Sequence, residues 1–513
     1  MTTLDRLLAL PGRWLDRVTM YRLVTCYLIA LLGIAVVESG LGVLDYPVTA
    51  LLGTTLVAVG TCWAVNVLFA RTFQSPVNHD SAVITGLILA LIVGPAQLPE
   101  EYAFLAWASI LAIASKYILA VHQIHLFNPA AIAVVITGLF ADQAGSWWVG
   151  TASLTPFVIG GGLVLVRKLR RGDLVLSFVW TTLFVGLAWS ALTHVPFDQS
   201  FQQAVLNTPI WFLAFAMLTE PVTMPSTKAL QVAYGALAGL LVLPQVHLGT
   251  FYPSPEFALV TANAAAYVVR PRQRRRLRLD RAVMVGPGLM DFLFVPAKPL
   301  AYRPGQYMEW TMDHGHADGR GKRRFFTLAS SPTERSLRIG VKFADASSTF
   351  KRSLAASALG TSIVAAQVGG DFTLPRNTDQ KLAFIAGGIG VTPFRSMVKY
   401  LTDRREPRDI VMLYANRHVE EILYWDVFQA AQWVFRFRPV LVLSDASSVP
   451  PGWGGAVGRI DAALIARQIP DYRERLFYVS GSPEMVRSVQ RALGDLGVTE
   501  RQIRTDYFSG LAS

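Results

Sequence analysis

Arg270-Pro-Arg-Gln-Arg-Arg-Arg-Leu-Arg278 divides this chain of 513 residues into two unlike halves. Residues 1–269 hold 11 Lys/Arg and 12 Asp/Glu, whereas residues 270–513 hold 36 and 23. The formal net charge of +12 therefore belongs to the second half. Anionic lipid draws Lys and Arg to the cytoplasmic side of membrane proteins, and a basic collar at the end of an apolar half fits that rule. No aromatic-basic module accompanies the charge, so nucleic acid is not expected as a partner. The length exceeds one ordinary core and calls for at least two units.

Upstream of the collar, apolar runs recur near 21–40, 47–70, 81–95, 102–120, 128–141, 149–166, 173–194, 204–219, 229–245 and 256–270. About 20 residues cross a ~30 Å hydrocarbon core, and the pattern predicts a polytopic α-helical bundle of about ten spans. Charge placement gives its direction. With Arg6, Arg13, Arg17 and Arg22 on the cytoplasmic side, Arg71, the Arg167–Arg171 cluster, Lys228 and the collar fall there too. The opposite loops (40–46, 96–101, 142–148, 195–203, 246–255) hold no Lys or Arg. Both termini are thus expected in the cytoplasm of a bacterial-type inner membrane, with Trp147-Trp148 as outer interfacial anchors. Met1–Met20 lacks a compact apolar core ending in a small-residue site, so no cleavable signal is expected.

Cys26 and Cys62 cannot supply the four thiolates of a protein-ligated iron–sulfur cluster, and they read as small hydrophobes in packed helices. His79, His122, His125, His194 and His247 place no two histidines about four turns apart on one helix, as a two-haem ladder requires. No metal ligands are therefore assigned.

Three segments set a polar or proline-containing turn against a small-residue helix: Asp80-Ser-Ala-Val-Ile-Thr-Gly-Leu-Ile-Leu-Ala-Leu, His125-Leu-Phe-Asn-Pro-Ala-Ala131 and Thr219-Glu-Pro-Val-Thr-Met-Pro-Ser-Thr-Lys228. On these, residues 20–270 resemble the D subunit of the Rnf electron-transport complex and the B subunit of the sodium-pumping NADH:quinone reductase. Those subunits carry covalent FMN on the threonine of a Ser-Gly-Ala-Thr-like segment. No such tetrapeptide occurs here, and Thr151 and Thr155 lack its context, so covalent FMN is not expected.

Downstream of the collar, residues 277–376 alternate and are punctuated by glycine, as suits a small antiparallel β-barrel. From 380, apolar runs (382–386, 410–414, 440–443, 476–479) alternate with helical stretches, the pattern of a parallel α/β sheet. Four motifs carry chemistry. In Arg324-Phe-Phe-Thr-Leu-Ala-Ser-Ser-Pro332, Arg324 can fork onto a pyrophosphate, Phe326 offers a face to a ring, and Thr327 can hydrogen-bond that ring. Ser347-Ser-Thr-Phe-Lys-Arg-Ser-Leu354 opens a helix on Ser348 and Thr349, whose hydroxyls and amides suit an anion. In Leu382-Ala-Phe-Ile-Ala-Gly-Gly-Ile-Gly-Val-Thr-Pro393, Gly387, Gly388 and Gly390 let backbone approach a pyrophosphate, and Thr392 starts the helix. Tyr478-Val-Ser-Gly-Ser-Pro483 holds Ser480, Gly481 and Pro483.

Residues 277–513 resemble the ferredoxin–NADP reductase superfamily on these motifs. The resemblance implies FAD held at Arg324, Phe325, Phe326, Thr327, Ser348 and Thr349, and NADPH or NADH at the glycine turn. Thr327, Ser480 and an aromatic lid at Phe508 (or Tyr507) would face the reacting rings. Phe326 stands where the family has Tyr, and Ser480 where it has Cys. Arg417 in Asn416-Arg417-His418 can meet a 2′-phosphate, which favours NADPH.

These readings divide the chain into a transmembrane domain (1–269), a basic linker (270–280), an FAD-binding barrel (281–376) and an NAD(P)-binding α/β domain (377–513). The expected activity is an NAD(P)H-dependent, FAD-containing oxidoreductase that passes electrons to a membrane acceptor: a quinone, a non-covalent flavin or a redox partner. A redox-driven ion transporter, or a subunit of an ion-pumping complex, is the alternative. The expected partners are NAD(P)H, the acceptor, the bilayer and further membrane-complex subunits.

Overall fold

The computed structural model describes residues 18, 20–73, 79–121, 124–141, 143–169, 171–194, 196, 209–243, 246, 249, 252–269, 275–312, 314, 322–343 and 347–507. The chain divides into two compact units, Met1–Arg270 and Pro271–Ser513.

The first unit is helical: α1 (Met20–Gly40), α2 (Val48–Thr72), α3 (His79–Ile92), α4 (Pro99–Ile118), α5 (Pro129–Ala141), α6 (Thr155–Leu169), α7 (Gly172–Thr193), α8 (Lys228–Leu241) and α9 (Pro255–Val269). Between α7 and α8 a single turn, Ile210–Phe212, widens into a π turn, Leu213–Met217. Ten spans are not seen among the described residues. Among the described residues only α1, α2 and α7 are long and apolar enough to cross a membrane. Sliding hydropathy runs over the breaks that proline and glycine impose. Gly94-Pro95 stops the third run after the 14 residues of α3, and Pro129 starts α5, which has 13. At 1.5 Å per residue such helices reach about 20 Å, short of a ~30 Å core.

Broken ends inside an apolar unit need partners for their freed backbone groups. At α3 these come from the tryptophan pair. Trp147 N donates to Ile92 O (2.9 Å) and Trp148 Nε1 to Ala90 O (2.9 Å). Trp147 Nε1 donates to Glu256 Oε2 of α9 at 2.8 Å. Both rings are buried, so they cap a helix rather than sit at an outer interface as anchors. Of the two cysteines only Cys62 is buried; Cys26 is exposed on α1.

The second unit begins with β1 (Arg275–Gly286), β2 (Leu289–Pro296), β3 (Tyr307–Thr311), β4 (Arg323–Thr327), β5 (Leu337–Lys342), α10 (Thr349–Ala355) and β6 (Ser362–Gly369). The six strands pair antiparallel in the order β4-β3-β6-β1-β2-β5 around Phe292, Phe294, Met308, Trp310 and Ile339. The barrel expected from the sequence does not close. Among the described residues no ladder joins the edges β4 and β5; beyond β4, Ala329 N donates to Arg338 O at 2.8 Å and Arg338 N to Ser330 Oγ at 3.0 Å. The chain leaves β4 through Ser330-Ser331-Pro332, and proline has no N–H to continue a ladder.

A parallel sheet follows: β7 (Leu382–Gly387), α11 (Thr392–Arg404), β8 (Asp409–Asn416), α12 (Trp425–Gln432), β9 (Arg436–Leu443), β10 (Ala456–Val457), α13 (Ala462–Gln468), β11 (Leu476–Gly481), α14 (Pro483–Asp495) and β12 (Ile503–Tyr507). Its order is β10-β9-β8-β7-β11-β12, with an apolar cluster on each face. The chain winds outward from β7 to β10 and then returns to lay β11 on β7's other side. In open α/β sheets a crevice opens at that reversal, beyond the strands' carboxyl ends.

Candidate functional site

The reversal brings two of the sequence motifs together. β7 ends at Gly387 and β11 at Gly481, with Ser480 in register with Ala386. A Cβ on Gly390 would lie 2.6 Å from Ser480 O and 2.7 Å from Gly481 N, so only glycine lets the turn pass. The Met485 side chain occupies the space where a Cβ on Gly387 or Gly481 would point. Gly388, with φ +52°, would meet nothing within 4 Å, which leaves its backbone open to a ligand. Thr392 is buried, its hydroxyl bound to Ile389 O at 3.1 Å. Ser482 caps α14 on Met485 N (3.3 Å), and Pro483 takes the first turn, where its missing N–H costs nothing. Ser480 is fully buried, and its Oγ finds no hydrogen-bond partner. An orphaned buried hydroxyl costs about 1–3 kcal/mol and asks for a ligand.

The flavin motif gathers on one ring. Arg324 CZ lies 5.5 Å from the centroid of Phe350, and Phe326 packs at 5.9 Å from it. Phe350 belongs to α10, so the two expected cofactor motifs meet at this buried side chain. His314 touches the same ring edge-on at 6.1 Å and reaches Thr349 Oγ1 at 3.2 Å. Ser348 accepts from Lys351 N at 3.4 Å as the N-cap of α10. Phe325 alternates outward, exposed, with its ring edge-on to Tyr307. Thr327 is buried at the end of β4. The residues fit a flavin dinucleotide, since an arginine, an aromatic face and the part-buried hydroxyls of Ser348 and Thr349 gather about Phe350 at the start of α10. They fit a nicotinamide dinucleotide through the open turn at Gly388 and the orphaned Ser480.

Arg417 is exposed past the end of β8, its N–H bound to Glu421 Oε2 at 3.1 Å. Asp445 stands near it. Bonds from the Ser447 hydroxyl and amide hold that carboxyl below its usual value, with His418 and Arg417 adding to the effect. Phe508 lies outside the described residues, and so does the side chain of Tyr507.

Sequence reasoning passed over a buried polar seam between the two sheets. Arg395 of α11 donates to Glu334 (2.7 and 2.9 Å) and to Ala329 O (2.7 Å). Tyr424, in a left-handed conformation at φ +58°, donates to Asp291 Oδ1 at 2.5 Å, and Arg338 meets that carboxylate at 2.8 Å. Burial first, and then Asp291, raise the Tyr424 phenol well above its ordinary value. A signal for Glu334 was present: Ser331-Pro-Thr-Glu334 is a capping-box spacing, and Glu334 Oε2 does accept from Ser331 N at 2.7 Å.

In the first unit, the two motif glutamate and asparagine turns also converge. His125 Nε2 lies 3.0 Å from Glu220 Oε1, and Asn128 Nδ2 donates to Glu220 Oε2 at 3.0 Å. Asn263 Oδ1 accepts from Asn128 N at 2.8 Å. Nearby, Lys116 Nζ satisfies all three donors on Ser81 O, Ser81 Oγ and Thr85 Oγ1, at 2.8–3.0 Å. Ser81, Thr85, His125, Asn128 and Glu220 line one cavity. Thr155, considered above for flavin attachment, is buried and bonded to Thr151 O at 2.9 Å. His122 and His247 lie outside the described residues.

Comparison with known proteins adds the classes of the two halves. The NQR2, RnfD, RnfE family model matches residues 138–276, and the oxidoreductase NAD-binding domain model matches residues 384–491. A flavohemoprotein of Pseudomonas putida is 28% identical over 247 residues, 47% of this chain and 61% of that protein. The glycine betaine monooxygenase reductase subunit of Chromohalobacter salexigens is 25% identical over 231 residues, 44% of this chain and 61% of that protein. One component of the Na(+)-translocating NADH-quinone reductase of Yersinia pestis is 32% identical over 158 residues, 29% of this chain and 38% of that protein. The chain spans about three fifths of the length of the first two relatives. Its N-terminal half carries a domain of the NQR2, RnfD, RnfE family. Its C-terminal half is an FAD- and NAD(P)-binding oxidoreductase domain of the ferredoxin-reductase type.

Proposed function

We propose that this protein is a multi-pass membrane oxidoreductase that takes hydride from cytoplasmic NAD(P)H onto FAD and delivers electrons to an acceptor in the membrane. The observation that carries the reading is the buried, unpartnered Ser480 hydroxyl beside the open glycine turn, in the same compact unit as the Arg324–Phe350 cluster. Bound FAD supplies the chemistry of two-electron entry and one-electron exit; the protein supplies orientation.

In this reading Arg324 holds the flavin pyrophosphate with Ser348 and Thr349, and Phe325 and Phe326 bracket the strand that bears it. Thr327 hydrogen-bonds near the flavin N5. Gly387, Gly388, Gly390 and Thr392 seat the dinucleotide pyrophosphate, Gly481 and Pro483 shape the nicotinamide side, and Ser480 contacts the nicotinamide. Arg417 meets a 2′-phosphate, and Phe508 covers the flavin ring. The proposed boundaries are a membrane domain at 1–269, a linker at 270–280, an FAD domain at 281–376 and an NAD(P) domain at 377–513. The arginine distribution supports both termini on the cytoplasmic face of a bacterial-type inner membrane.

The acceptor, a quinone, non-covalent flavin or redox partner, enters at the cytoplasmic leaflet around Lys116–Asn128, where the Ser81–Glu220 cavity opens. A second reading, a redox-driven ion transporter, draws on the same Glu220–His125–Asn128 group, because ionisable side chains within a membrane unit are costly and mark ion paths. Anaerobic titration of the purified full chain with NADH and NADPH, with flavin content measured, tests the first reading. Bleaching of stoichiometric bound FAD is the expected result, and its absence would sink the proposal.

A further inference from the structure

We infer that Arg395 is a positioning residue that fixes the offset between the flavin-bearing strand and the nicotinamide-bearing turn; the assignment rests on the function proposed above. Arg395 stands three residues into α11, the helix that the glycine turn opens. Its guanidinium is buried and reaches across to the segment leaving β4 just after Thr327. One nitrogen donates to Ala329 O and Glu334 Oε2, both at 2.7 Å, and the other donates to Glu334 Oε1 at 2.9 Å. The next helix residue repeats the tie, since Ser396 Oγ donates to Ser330 O at 2.6 Å.

The tied segment cannot drift on its other side. Ala329 N donates to Arg338 O at 2.8 Å and Arg338 N to Ser330 Oγ at 3.0 Å, which anchors it to β5. β5 itself closes on the turn. A Cβ on Gly340 would lie 3.0 Å from both Ile389 and Thr392 and 2.7 Å from the Tyr424 hydroxyl. Tyr424 completes the seam, with Arg395 CZ 5.3 Å from its ring centroid and its own hydroxyl on Asp291.

A planar fork of this kind specifies direction as well as distance, which a lysine ammonium does not. Removing one partner from a buried pair leaves an uncompensated charge. A bare Arg395→Ala would therefore mix misfolding with misplacement. The informative variants are Arg395→Lys, which keeps the charge and loses the fork, and the paired neutral change Arg395→Gln with Glu334→Gln.

In the full-length protein both variants should retain FAD and bind NADP+ with unchanged Kd. Their anaerobic flavin reduction should slow by about tenfold to a hundredfold, the scale of an ångström-level misplacement. The long-wavelength absorbance that develops when a nicotinamide ring stacks on flavin should weaken in parallel, and Arg395→Lys should keep more of both signals than the paired change. Wild-type reduction rates and absorbance in both variants would overturn the assignment. A loss that follows FAD release rather than stacking would overturn it as well, because it marks a merely structural pair. FAD missing from the unsubstituted chain is a separate failure: it would remove the functional reading and this assignment together.

Discussion

Gly390 sits against the backbone of Ser480 so closely that a Cβ on it would lie 2.6 Å from the Ser480 carbonyl oxygen. This contact joins the two sides of the crevice beyond β7 and β11, and backbone cannot yield as a flexible side chain does. Gly390→Ala should lower stability by about 1–3 kcal/mol through overpacking and weaken NAD(P)H binding. Denaturant melts and dinucleotide titrations measure the two effects; a variant as stable and as tightly bound as wild type would refute the contact.

Ser480 offers the opposite test. Its hydroxyl is buried without a partner, so Ser480→Ala removes a polar atom that contributes nothing to the ligand-free fold. The melting temperature of the cofactor-stripped protein should hold or rise. Flavin reduction should slow about fivefold, the worth of one hydrogen bond near 1 kcal/mol. A destabilised variant with normal reduction would contradict the role given to this hydroxyl.

Arg324 rests over Phe350, part-exposed, with one guanidinium nitrogen on Arg323 O at 2.6 Å. Arg324→Ala should cost about 1.5–3 kcal/mol of flavin affinity, seen as FAD lost on gel filtration. Arg324→Lys should recover only part, since an ammonium cannot fork.

Acid should loosen the seam between the sheets. Burial pushes the Glu334 carboxyl up, but its bonds to Arg395 and Ser331 hold it below the usual carboxylate value of 4.5. A depressed folded pKa means the unfolded chain binds the proton first as pH falls. The stabilisation is therefore complete above the unfolded pKa and is lost as pH drops toward the folded one. The double variant Arg395→Gln with Glu334→Gln should show a shallower fall of stability with pH below about 4.5, by denaturant melts across pH; an unchanged slope would count against the pair.

Topology is the last of these outcomes. Thiol probes at positions 71 and 400 should react only from the cytoplasmic side, and probes at 145 and 250 only from the outside. Position 400 labelled from outside would remove cytoplasmic NAD(P)H as the electron source.

Motifs built from adjacent residues are legible in the sequence alone. Gly387-Gly-Ile-Gly390 and Arg324-Phe-Phe-Thr327 carry their geometry locally, and the parallel sheet followed from apolar runs that became β7, β8, β9 and β11. What was missed depends on distance along the chain. Arg395 and Glu334 are 61 residues apart, and neither pattern names the other. Span counting failed for a related reason: an apolar average does not register that a helix stops before Pro95 or that one starts only at Pro129. Trp147 and Trp148 were misread as surface anchors because an indole suits an interface and a buried acceptor equally well.

That tryptophan pair also constrains how the first unit is made. α3 leaves the ribosome ending at Ile92, but the donors for its last carbonyls arrive 55 residues later, at Trp147, and the carboxylate that holds Trp147 only at Glu256. A segment of 14 residues with unsatisfied carbonyls cannot rest alone in hydrocarbon. The end of α3 is therefore completed by a segment made 55 residues later, and the Trp147 indole is held later still by Glu256 of α9. Truncation before residue 147 would leave α3 without those donors.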